Sequence, residues 1–447
     1  MLSLFAADFK HHASQWFWTL VVATVGGACL GMLLTAATSL AAWALTQPHR
    51  PELLELAEVA RGQVSSYICI ATATVVASTA NLTITAQSRE YALWKVLGIP
   101  RWQISTVILL QLLVVGLLGG LIGGLLSPLG TPVYLHMWGE LAKVVVPIPV
   151  TFNPTLVPVV AGVMSVITVL GGFGPAQRGG ALPEMQALRE SEAPHVRVGL
   201  FSRLLAGLML LTAGIFWAIP RLSHSPDAQI PAAILGGTVG LLLVVAALLV
   251  GPWTVRPLLF AWTALIPAQS PAWFTAREAC RHRSGQSMAT IMPFAIAVAL
   301  TGTMFGMASA GPGVNVSGFL VIFSLVFTIS AVGGVANIVL VGRQRGRDLA
   351  LLRVLGASDR TLAAVPVLEG MVYALTGILF GVGATVLTVA LGALAVHQPL
   401  LTALVGLPWL SLAGLSLGSL ALAIGAVVLS VRRAHRAPVM EQLRQPT

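Results

Sequence analysis

Long apolar blocks almost free of charge dominate this sequence and restrict the folds it can adopt. Each has roughly 18 residues or more, the length that a helix needs to cross about 30 Å of hydrocarbon. Ten blocks can be counted, and they run roughly over 17–46, 64–86, 104–128, 156–174, 204–220, 231–252, 288–309, 317–341, 363–392 and 407–430. With 56% hydrophobic residues, the chain holds more apolar side chain than a soluble protein can bury. The sequence therefore predicts an all-α polytopic membrane protein with about ten spans.

The basic residues are distributed unevenly over the predicted loops. With the N-terminus inside, only four of the 25 Lys and Arg residues fall in external segments, namely Arg50, Arg61, Lys143 and Arg221. The other 21 fall inside, as the positive-inside rule requires. Ten crossings then place both termini in the cytoplasm, where basic segments suit membrane lipid headgroups. Because topology accounts for the net charge of +10, no nucleic-acid partner is needed.

An internal repeat divides the chain. Residues 89–98 read Arg-Glu-x-Ala-Leu-x-Lys-x-Leu-Gly, and residues 347–356 read Arg-Asp-x-Ala-Leu-x-Arg-x-Leu-Gly. The same alignment pairs Gln111 with Glu369, Gly119 with Gly377, and Gly123 with Gly381, and a two-residue shift pairs Asn81 with Asn337. Repeats of this kind indicate two equivalent structural units.

The spacing of the repeat predicts its topology. Six spans separate corresponding positions, so the two copies have the same orientation and form a parallel repeat. We expect a first four-span repeat at 1–190, a linker with two spans at 191–270, and a second four-span repeat at 271–447.

The repeated motif predicts a short amphipathic helix in each half. Leu93, Val96 and Leu97 form one apolar stripe, as do their counterparts in the second copy. Each motif also has a base at its start, an acid in the first turn, a base in the last turn and a terminal glycine that favours a left-handed stop. In this order they are Arg89, Glu90, Lys95 and Gly98 in the first copy, and Arg347, Asp348, Arg353 and Gly356 in the second. Leu351 belongs to the apolar stripe of the second copy. A single helix of this type can simply end a span at the interface. Two copies at matching places favour a docking element for a cytoplasmic partner.

Repeated small and polar residues also lie within the predicted spans. Gly119 with Gly123, and Gly377 with Gly381, are pairs that allow close helix packing. Asn81 and Asn337 can hydrogen-bond a neighbouring helix or, alternatively, contact a substrate. Gln111 and Glu369 form a candidate intramembrane polar site, although Glu369 lies near enough to the interface for snorkelling.

Catalytic motifs are missing from the sequence. The lysines are Lys10, Lys95 and Lys143, and none follows glycine, so no phosphate-binding loop of the G-x-x-x-x-G-K-[ST] type exists. Metal-ligand spacing is also missing, and Cys29, Cys69 and Cys280 are expected to be small buried hydrophobic residues or inert thiols. We therefore expect a chain that is not an enzyme and binds no cofactor itself.

The segments 81–123 and 337–381 resemble the FtsX-like permease domain of MacB-type ABC transporters. They carry the asparagine, the two short motifs and the glycine-rich span, and the tail at 183–189 is similar as well. The resemblance implies a permease subunit in a bacterial inner membrane. It also implies that 89–98 and 347–356 couple to two copies of a separate ABC ATPase, which binds the ATP and Mg.

The external loops depart from that family. Many members insert a large domain between the first two spans of each half, but here the loops 47–63 and 310–316 are too short to fold alone. This favours export or extraction of a substrate already in the bilayer, such as an antimicrobial peptide, a lipid or a lipophilic drug. Glu52, Glu55 and Glu58 either meet cationic peptides or form a solvated helical cap.

Two other functions remain open. An ATP-driven regulatory protein that moves no substrate is one of them, although little of the chain lies outside to contact a target. An ion-coupled secondary transporter is the other, but such proteins use several buried ionisable groups, and here only Glu369 is placed within a span.

Overall fold

The computed structural model describes most of the chain. The described residues are 2–46, 54, 57–58, 60–141, 148–181, 199–222, 232–308, 316–344, 346–395 and 399–435. Within these ranges the regular structure is entirely helical, as the sequence predicts. The tail at 183–189, Glu52, Glu55 and loop 310–315 lie outside the described residues.

The helices are named in chain order. In the first half they are α1 (Leu2–Ala44), α2 (Ser65–Ala86), α3 (Ser88–Val96), α4 (Arg101–Leu141) and α5 (Leu156–Ala181). The middle contains α6 (Leu200–Leu222), α7 (Ala232–Leu249) and α8 (Gly251–Leu265). The second half contains α9 (Pro271–His282), α10 (Ser284–Ala308), α11 (Val316–Gln344), α12 (Gly346–Val354), α13 (Asp359–Ala395), α14 (Leu400–Val405) and α15 (Trp409–His435).

Eight helices of the described part are long and apolar enough to cross a membrane, and a bent pair raises the number to nine. The chain is thus a multi-pass membrane protein, but the ten spans expected from the sequence are not confirmed. The two middle blocks lie in α6 and α7, and α7 is part of a pair broken after Leu249 and bent by 80°.

The break has a local cause. Gly251 and Pro252 follow α7, and proline lacks the N–H that a continuing helix would need while suiting the first turn of a new one. Helix α8 accordingly begins at Gly251 in a different direction.

The chain forms two compact units. The first comprises 1–190 and 315–333, and the second comprises 191–314 and 334–447. Helix α11 therefore contributes its first part to one unit and the rest to the other. The division into two repeats and a linker stays a prediction.

Close glycine contacts build the first unit, in which α4 packs against both α1 and α5. A Cβ added at Gly119 would lie 2.6 Å from the Cβ of Ala23 in α1. On another face, a Cβ at Gly120 would lie 2.6 Å from the Cα of Ala161 in α5. Because real side chains cannot approach so closely, only glycine permits these helix separations.

Close contacts at glycine residues also occur in the second unit. Helix α13 packs on α10, and added Cβ atoms at Gly377 and Gly381 would each lie 2.9 Å from a backbone nitrogen of α10. Asn337 in α11 is fully buried, and its Nδ2 donates to the carbonyl oxygen of Ala289 in α10 at 2.8 Å. This bond joins two helices through an amide, which is one of the two roles that the sequence allows for Asn337.

Candidate functional site

The first motif folds as the short helix α3, which Gln87 separates from α2. The backbone N–H of Gln87 is bonded to the carbonyl oxygens of Thr83 and Ile84, while its own carbonyl accepts from Glu90 and Tyr91. One residue thus ends α2 and begins α3. A span and a short surface helix therefore meet at a single residue.

A glycine-based cap ends α3. Gly98 has φ of 87°, in the left-handed region, and its N–H donates to the carbonyl of Lys95 at 2.8 Å. Ile99 donates to the carbonyl of Trp94 at 3.0 Å. This pair of bonds is the Schellman motif, which satisfies the last carbonyl groups of a helix.

Helix α12 of the second copy ends with the same bonds. Gly356 has φ of 88° and donates to the carbonyl of Arg353 at 3.1 Å, and Ala357 donates to that of Leu352 at 3.0 Å. The left-handed stop that the sequence predicts is present in both halves. Each helix is nine residues long.

The apolar stripes of both short helices lie on the surface. The six side chains are between 49% and 83% exposed: Leu93, Val96 and Leu97 in the first copy, and Leu351, Val354 and Leu355 in the second. Six large apolar side chains at matching positions need a covering surface, either lipid or protein.

The opposite face of α3 is anchored in the first unit. Tyr91 and Ala92 are each 1% exposed. The hydroxyl of Tyr91 donates to Oε1 of Gln87, whose Nε2 donates to Oε1 of Gln15 in α1 at 2.6 Å. Trp94 packs edge-on against Tyr91, with ring centroids 5.6 Å apart. A force on α3 therefore reaches α1 as well as α2.

Helix α12 is anchored differently. The guanidinium of Arg283, between α9 and α10, lies 2.6 Å from the carboxylate of Asp348. Arg353 lies 3.5 Å from Asp359 at the start of α13. These pairs are partly exposed to solvent. The acid predicted to favour the helix dipole at Asp348 thus also holds α12 to the second unit.

The remaining predicted site residues are dispersed. Gln111 is fully buried in α4, and Glu369 is 4% exposed in α13. Within the described ranges, Glu369 is the charged residue that is buried. Asn81 is partly buried, and its backbone carbonyl accepts from Thr85. The side chain of Arg347 falls outside the described residues. Among the described residues, no group of three or more His, Cys, Asp or Glu side chains could hold a metal ion.

Sequence reasoning missed several contributors to the site. Gln15, Gln87 and Tyr91 carry no repeat signal, since they come together through contacts distant in sequence. Gly116 and Gly120, which face α5, could have been found as a further pair of small residues four apart.

Comparison with known protein families finds one matching region in each half of the chain. A family model described as FtsX-like permease C-terminal matches residues 64–181 and 320–439, together more than half of the chain. The chain belongs to the FtsX-like permease family. Each matched region of this FtsX-like permease contains one of the short helices, α3 or α12. A search of the curated proteins found no match.

Membership settles the broad role. FtsX-like permeases are the membrane component of ABC-type systems, and they work with a separate ATP-binding subunit. They are not catalytic enzymes themselves. The two matched regions are consistent with a duplicated permease domain.

Proposed function

We propose that this chain is the permease subunit of a MacB-type ABC exporter in a bacterial inner membrane, with both termini in the cytoplasm. It consists of two like-oriented repeats, and α3 and α12 each receive one copy of the ATPase, which supplies the ATP and Mg. The cycle of that partner moves an amphipathic or lipophilic substrate out of the bilayer.

This proposal rests on two exposed apolar triplets, Leu93, Val96 and Leu97 in the first copy and Leu351, Val354 and Leu355 in the second. Each triplet stands on a helix whose end is fixed by a Schellman cap and whose other face is anchored to its own unit. A rigid, apolar, surface helix beside a span is suited to transmit motion from a soluble partner. Burying a leucine or valine contributes about 1.5–3 kcal/mol, so three such residues can supply much of a docking interface.

The short external connections support a substrate within the bilayer. Only seven residues separate the end of α10 at Ala308 from the start of α11 at Val316, and only 20 separate Ala44 from Ser65. Neither length can form a folded domain. Substrate recognition is therefore assigned to the spans, and an antimicrobial peptide, a lipid and a lipophilic drug are the classes to compare.

The test introduces charge into the apolar triplets. The double variant L97D/L355D should lose copurification of the ATPase and its permease-dependent ATP hydrolysis by at least about tenfold, because two carboxylates would be buried in apolar interfaces. The matched variant L97M/L355M preserves volume and apolar character and should retain both. Thermal unfolding in detergent verifies that all variants fold.

Transport is measured separately. Proteoliposomes that contain the permease and its ATPase should lose a labelled amphipathic peptide from their membrane in an ATP-dependent manner. ATP hydrolysis coupled to the permease without movement of peptide, lipid or drug would support a regulatory role instead. Full ATPase coupling in L97D/L355D would refute docking through the triplets.

A further inference from the structure

A second surface, formed by α8 and α9, has a different chemistry from the docking helices. Helix α8 has 15 residues, which span only about 22 Å, and it leaves α7 at 80°. Val255, Leu259 and Thr263 are buried along one face, where α8 packs on α10 and α13. The helix is therefore too short and too strongly turned to complete a crossing as a continuation of α7.

The outer face of α8 combines aromatic rings with a cation. Trp253, Arg256 and Phe260 recur at helical spacing on the side away from the buried stripe, and all three are exposed. The guanidinium of Arg256 lies 5.7 Å from the ring centroid of Phe260. In the part of the chain that the structure describes, Arg256 has no carboxylate partner.

Helix α9 adds two further arginines beside this face. Arg281 lies 5.0 Å from the same Phe260 ring, and it donates to the carbonyl of Phe260 at 3.1 Å and to the hydroxyl of Thr263 at 2.9 Å. Arg277 lies 5.8 Å from the ring of Phe274. Glu278 contacts both Arg277 and Arg281, at 3.2 and 3.5 Å. Two guanidinium groups thus share one carboxylate, and the third, that of Arg256, has none among the described residues.

Tryptophan contacts hold the two helices together. The rings of Trp262 and Trp273 lie 6.3 Å apart across the junction. Nε1 of Trp262 donates to Thr376 in α13 at 3.0 Å, and Oγ of Ser270 caps α9 by accepting from the backbone of Trp273. On this fixed support the side chains of Arg256 and Phe274 are exposed, whereas those of Arg277 and Arg281 are 15% exposed.

We infer that this α8–α9 surface binds the headgroup of an anionic phospholipid. Arginine presents a planar fork that donates two hydrogen bonds to a phosphate, and an excess of positive charge favours an anionic headgroup over a zwitterionic one. Tryptophan and phenylalanine beside the arginines suit the boundary between headgroups and acyl chains. The arginines place this surface at the cytoplasmic leaflet by the positive-inside rule.

Native mass spectrometry of the full chain in mild detergent tests the inference. Titration with phosphatidylglycerol should show tighter binding than titration with phosphatidylcholine. Arg256→Gln should weaken phosphatidylglycerol binding about fivefold, the effect of one basic residue near an anionic surface. Arg203→Gln is the matched control, since it removes the same charge from an exposed position in α6 and should change nothing.

Three results would overturn the inference. Equal binding of the two lipids would remove the charge preference, and an equal loss in Arg203→Gln would show a diffuse charge effect. Complete displacement of phosphatidylglycerol by inorganic phosphate at the same concentration would identify a site for soluble anions. Retention of the lipid preference in Arg256→Lys but not in Arg256→Gln would support the assigned site.

Discussion

The two short helices α3 and α12 share a sequence motif, a length and a cap, but they are attached to their units by different chemistry. Helix α3 is held by a buried, uncharged chain from Gln15 through Gln87 to Tyr91. Helix α12 is held by the partly exposed ion pair between Arg283 and Asp348. The shared features are those that a docking partner would contact, whereas the different features attach each helix to its own unit.

Neither anchor can form in the other half, because the residues at the corresponding positions are different. The positions that match Gln87 and Tyr91 in the second copy are Arg345 and Leu349, and leucine has no hydroxyl. The segments 8–14 and 278–284 are also similar, reading Asp-Phe-Lys-His-His-Ala-Ser and Glu-Ala-Cys-Arg-His-Arg-Ser. In this alignment the residue that matches Arg283 is Ala13, which cannot form an ion pair. The halves have thus kept the outward face of the motif while replacing its attachment.

The largest expected effect is at the buried anchor. Tyr91→Ala should destabilise the attachment of α3 by about 3–5 kcal/mol, because it removes a fully buried aromatic ring. Hydrogen exchange of 88–96 measures the loss, and exchange of 346–354 should be unchanged. Tyr91→Phe keeps the ring and should lose about 1–3 kcal/mol, the cost of removing the hydrogen bond to Gln87. Equal exchange in both variants would show that the ring does not anchor α3.

A smaller effect tests the packing that the halves share. Gly381→Ala should lower the stability of the second unit by about 1–3 kcal/mol, because its Cβ would crowd Val298 and Ala299. Gly383→Ala in the same helix has nothing within 4 Å of its added Cβ and should be neutral or slightly stabilising. Thermal unfolding in detergent compares the two. Gly123→Ala should lower the stability of the first unit by a similar amount. No effect of Gly123→Ala would show that the two halves differ in their helix packing as well as in their anchors.

The smallest effect is at the exposed ion pair. Asp348→Asn should loosen α12 by about 0.2–1 kcal/mol, since solvent and salt screen such pairs. Raising the ionic strength from about 0.1 to 1 M should reproduce most of that change in the parent chain. Hydrogen exchange of α12 should therefore depend on salt, and that of α3 should not. Equal salt dependence in both helices would remove the proposed difference in anchoring.

Local sequence rules predicted the parts of this molecule that local physics determines. The helical stops at Gly98 and Gly356 are set by residues within one turn, and the stripes at Leu93 and Leu351 follow helical spacing. The close helix contacts at Gly119 and Gly377 followed from a repeat offset combined with residue size.

Features that depend on distant contacts were not predicted. The ion pair between Arg283 and Asp348, and the chain from Gln15 to Tyr91, need the tertiary arrangement. The break after Leu249 did carry a local signal in Gly251-Pro252, but the sixth block was defined by apolar length and runs across it. Apolar length is insensitive to a change of direction.

Site-specific photo-crosslinking tests the central claim most directly. A photoreactive amino acid at Leu97 and, in a second variant, at Leu355 should each crosslink to the ATPase subunit in membranes. The same group at the exposed Leu410, at the start of α15, serves as the control and should not. Crosslinks from both motif positions to lipid alone, with none to the ATPase, would contradict the proposal that these two helices are its docking sites.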